Sequence, residues 1–69
     1  MINVRVNGET KAFPAEMAVA RLIRELVGAE PGPGIAVALN GEVVRRLDWA
    51  SATIKDNDTI EIVRATQGG

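Results

Sequence analysis

Ile2, Val4 and Val6 alternate with Asn3, Arg5 and Asn7 at the start of the chain. Alternation with a period of two places every second side chain on one face, which predicts a strand buried on one side. Asn7-Gly8 follows, and both residue types accept the positive φ that a type I′ turn demands. Glu9 to Phe13 is then the returning strand, and Pro14, which lacks a backbone donor, closes it. Residues 2–13 read as a β-hairpin.

The period then changes. Val19, Leu22, Ile23 and Leu26 fall at i, i+3, i+4 and i+7, the apolar stripe of an α-helix, with Arg21, Arg24 and Glu25 on its other faces. Gly28 stands where a positive-φ C-terminal cap is expected. The helix start has no hydroxyl or carboxylate cap, because Met17 and Ala18 precede it; Glu16 contributes only a negative charge near the N-terminus. Met17 reads as a filler of the core. Glu30-Pro31-Gly32-Pro33-Gly34 is a loop inside one domain, and it lacks the spacing and the Lys-Ser/Thr pair of a phosphate-binding loop.

Period two returns with Ile35, Val37 and Leu39 against Ala36 and Ala38, a strand with one bulky and one small face. Asn40-Gly41 repeats the hairpin signal and Glu42-Val43-Val44 comes back as a fourth strand. Arg45 and Arg46 are either a solvated strand end or a surface for an acidic partner. Leu47 to Ala50 is a turn or a helical twist carrying Trp49, whose ring serves either packing or partner contact. Ile54 reads as core. Lys55-Asp56-Asn57-Asp58 is a polar turn with Asn57 in the left-handed region; its two aspartates lack the further ligands of a calcium loop. Thr59 to Arg64 is the last strand, with Ile60 and Ile62 facing inward. Only the sheet is available to cover the single helix, so the fold class is α+β: a mixed sheet of about five strands curled around one helix.

Sixty-nine residues make one domain, and with aromatics at 3% its core must be filled by Val, Ile, Leu and Ala. A net charge of −1, with both signs scattered, provides no basic stripe, so no nucleic-acid partner is expected. No run of about 18 apolar residues suggests a membrane span. The opening residues lack the layout of a signal peptide, and the expected location is the cytoplasm. The chain contains neither Cys nor His, which removes thiol nucleophiles, thiolate zinc sites and imidazole bases. Ser51, the sole serine, has no imidazole to activate it. The chain is therefore not expected to be an enzyme or to hold a metal or cofactor of its own.

What chemistry remains lies at the end, where Ala65, Thr66 and Gln67 lead from the last strand to Gly68 and Gly69. Two residues without β-carbons, tipped by a carboxylate, are either a loose chain end that happens to finish in glycines or an arm suited to insertion into another protein's narrow active site. The expected division is a compact domain over 1–64 and a flexible tail over 65–69. Ala36 and Ala38, beside Val63 and Ala65, are the expected docking face for a partner.

Ala38-Leu39-Asn40-Gly41-Glu42-Val43-Val44, Trp49-Ala50, the run from Ile54 to Val63 and Gly68-Gly69 together resemble the ThiS family of thiamine-biosynthesis sulfur carriers. That family shows A-V-N-G-E/x-x-V-P-R-x-x-W, L-x-D-G-D-x-I-E-I-V and a terminal Gly-Gly, and the likeness covers essentially the whole chain. Arg45 stands where the pattern has proline, Asn57 where it has a turn glycine and Ala18 where it has a capping Thr or Ser. The resemblance implies a ubiquitin-like β-grasp roll and a monomer. It further implies that an E1-like adenylyltransferase, consuming ATP, adenylates the Gly69 carboxylate. A persulfide sulfur from a cysteine desulfurase then converts Gly69 to a thiocarboxylate, and a thiazole synthase takes the sulfur. Gly68, Gln67 and Thr66 would thread into the partner's active site. Related carriers for molybdopterin, tRNA thiolation or cysteine synthesis share the same end, as do modifiers conjugated to lysine; the Trp and Asn-Gly-Glu segments favour the thiamine branch. A binding module of the same roll would leave Gly-Gly without a task.

Overall fold

The computed structural model describes residues 1–64; the tail residues Thr66, Gln67, Gly68 and Gly69, and Ala65 before them, lie outside the described residues. Strands β1 (Ile2–Val6) and β2 (Glu9–Phe13) form the expected hairpin. Its turn has Asn7 at φ 50° and Gly8 at φ 85°, both positive as the type I′ geometry requires. Burial alternates along β1, with Ile2, Val4 and Val6 inside. A two-residue strand, β3 (Met17–Ala18), leads directly into α1 (Val19–Leu26). After the proline–glycine loop come β4 (Ile35–Leu39) and β5 (Glu42–Val44), joined by Asn40-Gly41. A short 3-10 helix, Arg46–Asp48, precedes β6 (Thr53–Ile54) and the last strand, β7 (Thr59–Arg64).

The five long strands form one mixed sheet in the order β2-β1-β7-β4-β5. β7 is the central strand, parallel to β1 on one side and antiparallel to β4 on the other. This is the mixed sheet around one helix that the element order implies, and the β-grasp roll that the resemblance implies. Val19, Leu22 and Ile23 of α1 are buried against Ile2, Val4, Val6, Ile35, Val37 and Ile60 of the sheet. Ile54 and Trp49 complete that core, and the Trp49 indole N–H donates to the Val44 carbonyl at 3.0 Å. Of its two sequence-level readings, Trp49 takes the packing one, with its polar edge satisfied.

Two features depart from the sequence reading. β3 and β6 pair only with each other, antiparallel, and strands of two residues are too short for any periodicity to register. Leu26, on the predicted apolar stripe, is 38% exposed. It lies with Val6, Asn7 and Ile62 along a shallow depression at the end of the sheet where β1 turns away, so little remains to cover it.

The three family positions where this chain differs all have a physical account. Ala18 has no side chain to cap α1, but the orphan N–H groups of Val19 and Ala20 donate to the carbonyls of Ala52 and Trp49, each at 2.9 Å. The crossing segment thus supplies through backbone what a Thr or Ser side chain would provide. Asn57 sits at φ 72°, in the left-handed region that asparagine tolerates better than most residues. Arg45 has φ −66°, the value a proline ring imposes, and follows a strand residue. Its ion pair with Asp48 is 3.4 Å long and exposed, so its removal costs little. Arg45→Pro is accordingly expected to raise the stability by about 0.4–1 kcal/mol, seen as a higher urea midpoint. A lower midpoint would mean that the Arg45 N–H has a partner the fold needs.

Candidate functional site

The candidate site comprises the root of the tail, which is β7, and the surface beside it. Each edge of β7 is held by the asparagine of a hairpin turn. On the β4 edge, Asn40 Oδ1 accepts from the Thr59 N–H at 2.9 Å, and the Asn40 N–H donates to the Thr59 carbonyl at 2.7 Å. Asn40 Nδ2 also donates to Asp58 Oδ1 at 3.0 Å. On the β1 edge, Asn7 Oδ1 accepts from the Ile62 N–H at 2.7 Å while its Nδ2 donates to the Ile62 carbonyl at 3.1 Å. Asn40 fixes the start of the strand and Asn7 its far half.

Sequence reasoning saw both asparagines only as turn formers. The available signal was the choice of residue: Asp-Gly or Gly-Gly would make the same turn, yet both hairpins carry Asn, whose amide both donates and accepts.

The polar turn before β7 is tied to β1 in a similar way. Asp56 Oδ1 accepts from the Asn3 N–H at 2.7 Å, Asp58 Oδ2 from the Lys55 N–H at 2.8 Å, and the Asn57 N–H reaches the Asn3 carbonyl at 2.8 Å. Both carboxylates are occupied by backbone donors. No group of three or more His, Cys, Asp or Glu that could hold a metal occurs among the described residues. Ser51 Oγ donates to the Asp48 carbonyl at 3.2 Å, a local turn contact rather than a nucleophile's setting.

The face of the sheet opposite α1 carries the small residues expected there. Ala36 pairs with Val63, and Ala38 lies between Glu61 and Val43 on the neighbouring strands. These residues line a depression of about 200 Å³. Val43 is 76% exposed and Val63 60%, so two branched apolar side chains flank a shallow alanine floor on the strand that leads to the tail. Of the predicted face, Ala36, Ala38 and Val63 are brought together, and Ala65 lies outside the described residues. Arg46 is not merely a solvated strand end: its guanidinium lies 4.9 Å from the centre of the Trp49 ring and donates to the Gly32 carbonyl, tying the proline–glycine loop to the body. No helix among the described residues is long and apolar enough to cross a membrane.

Comparison with known proteins adds a family-level finding. A model described as the ThiS family matches residues 4–69. The crystal structure of a thiamine biosynthesis protein, ThiS, from Geobacter metallireducens superposes with a TM-score of 0.82 at 31% identity, covering 99% of this chain and 100% of that one. A solution NMR structure of a thiamine biosynthesis protein from the same organism gives a TM-score of 0.79 at 31% identity, covering 99% of this chain and 88% of that one. A thiazole synthase of Paramagnetospirillum magneticum is 38% identical over 64 residues, which are 93% of this chain. This chain spans only 19% of that protein's length.

Proposed function

Because the chain belongs to the ThiS family, we propose that it is a sulfur carrier for thiamine biosynthesis and that Gly69 bears the sulfur. The observation that carries this reading is the extent of the family match, which runs through Gly68 and Gly69 to position 69. The segment of similar sequence within a thiazole synthase supports the thiamine branch over carriers for molybdopterin or tRNA, and supports a thiazole synthase of the ThiG type as the consumer of the sulfur.

In this mechanism the Gly69 carboxylate is ionised at neutral pH, since an α-carboxyl has a pKa of about 3.3–3.7. A carboxylate is a poor acyl donor until its oxygen becomes a leaving group. An E1-like adenylyltransferase of the ThiF type lets that oxygen attack the α-phosphate of ATP, releasing pyrophosphate and forming an acyl-adenylate. The terminal sulfur of a persulfide, supplied by a cysteine desulfurase, displaces AMP. Cleavage of the resulting S–S bond by a second thiol leaves the thiocarboxylate. This chain has no Cys or His with which to perform any of these steps, so it acts as a substrate rather than as an enzyme. Gly68 and Gly69 lack β-carbons and let the backbone lie close to the nucleotide; Thr66 and Gln67 span the partner's channel.

The Ala36–Ala38 depression, with Val43 and Val63, is the docking face in this reading. Ala36→Arg puts a charge at an exposed position, so the fold should hold within about 0.5 kcal/mol. Binding to the adenylyltransferase should weaken about tenfold or more, a loss of about 1.4 kcal/mol, measurable by titration calorimetry. Unchanged affinity would move the docking face elsewhere.

The reading as a whole is tested by intact mass. Incubation with ATP, the adenylyltransferase, the desulfurase and cysteine should add the difference between one sulfur and one oxygen. Addition of the thiazole synthase with its small-molecule substrates should return the chain to its original mass. A gain that the synthase fails to discharge would assign the carrier to another pathway.

A further inference from the structure

β7 loses its backbone neighbour on one edge before the strand ends. β1 runs beside it through the Val6–Ile60 pair, and the Asn7 N–H then donates to the Ile60 carbonyl at 2.9 Å. Beyond that point the chain of β1 turns away at Asn7-Gly8. Ile62 presents the next N–H and carbonyl on the same edge, and the Asn7 carboxamide takes both, at 2.7 and 3.1 Å. A carboxamide offers the same donor and acceptor pair as a peptide group, so Asn7 adds one more rung to a ladder whose strand has already ended. On the opposite edge, β4 stays paired from Val37–Ile62 to Ile35–Arg64.

We propose that Asn7 is a positioning residue for the reaction at Gly69: by clasping Ile62 it fixes the line along which the chain leaves the sheet for the tail. The inference rests on the sulfur-carrier reading. Ile62 is two residues before Arg64, where the described structure ends, so its lateral ties set the direction from which residue 65 begins. Without the clasp, this end of β7 is held by β4 alone and can pivot about that edge. Only a fraction of orientations then delivers the terminus to the nucleotide, and turnover falls by that fraction. Docking through the alanine face, on the β4 side, does not involve Asn7.

Turn and clasp are separable. The turn requires only that residue 7 accept φ 50°, which glycine does, whereas the clasp requires the carboxamide. Asn7→Gly therefore keeps the hairpin and deletes the tie. In the chain alone, followed by NMR, the Ile62 amide should exchange about tenfold faster in Asn7→Gly than in the wild type, a larger increase than the global loss of stability produces at the amides of α1.

With the adenylyltransferase, at a temperature where both chains are fully folded, kcat should fall about tenfold and KM should stay the same, the scale set by two lost hydrogen bonds. Ile54→Val is the control for stability alone; it trims a core residue on β6, outside the sheet that contains β7, and should leave both constants at wild-type values. Unchanged exchange at Ile62, or wild-type kcat in Asn7→Gly, overturns the proposal, as does an equal loss in Ile54→Val. A wild-type chain that is never adenylated would sink the sulfur-carrier reading and this inference with it. Asn7→Gly matching an active wild type would sink the inference alone.

Discussion

Removing Gly69 alone should abolish sulfur loading, with at least a 100-fold fall in adenylation rate, although the folded body is untouched. The deletion leaves a carboxylate on Gly68, so the chemical group survives and only its reach changes. One residue of extended chain is about 3.3–3.6 Å. Reacting atoms must approach to about 3–3.5 Å, and a misplacement of about 1 Å already costs on the order of 100-fold. In the proposed mechanism, a terminus short by a full residue leaves its oxygen out of reach of the α-phosphate while the body remains docked. Among the described residues the buried core runs from Ile2 to Ile60, with Ile62 packed against it, so the urea midpoint should match the wild type. ATP–pyrophosphate exchange with the adenylyltransferase is the assay. A rate within a few-fold of wild type would mean that the enzyme does not measure the length of the tail.

Ile60→Ala should produce the largest loss of stability, about 2–5 kcal/mol. Ile60 is fully buried on the central strand, flanked by Val6 of β1 and Leu39 of β4, so its side chain sits where the two halves of the sheet meet the helix. Truncation removes apolar burial and leaves a cavity that a small core closes only in part. At about 0.05–0.15 kcal/mol per residue, a domain of this size has roughly 3–10 kcal/mol in total, so the variant stands near the edge of folding. Trp49, 6% exposed in the core, reports the transition by fluorescence. Val43→Ala, on a side chain 76% exposed, is the comparison and should stay within about 0.5 kcal/mol. Equal midpoints for the two variants would contradict the placement of Ile60 at the centre of the core.

Most of the sheet and the helix were legible because their periodicities are long enough to be read. Ile2, Val4 and Val6 mark one face, Val19, Leu22 and Ile23 a helical stripe, and the two Asn-Gly pairs mark both hairpins. The element order then leaves the sheet as the helix's only cover. Illegible features depend on distant partners. The two-residue strands Met17–Ala18 and Thr53–Ile54 exist because they meet each other, and nothing local announces that meeting. The cap of α1 comes from the carbonyls of Trp49 and Ala52, some thirty residues away, so Ala18 looked like a poor start until the crossing segment was in place. Leu26 satisfied the stripe but ran out of sheet. At the candidate site, the sequence pattern found the alanine face and the strand at the root of the tail. It could not reveal that the amides of Asn7 and Asn40 grip that strand, because a turn residue's free side chain leaves no periodic trace.

The central claim is chemical and concerns one atom at the end of the chain. Trypsin cuts after Arg64, so a sulfur-loaded chain yields the peptide Ala65-Thr66-Gln67-Gly68-Gly69 for tandem mass spectrometry. The account predicts that this peptide carries the sulfur-for-oxygen mass gain and that fragmentation assigns it to Gly69. A gain located on any residue of the 1–64 body, or no gain after turnover with active partners, would contradict it.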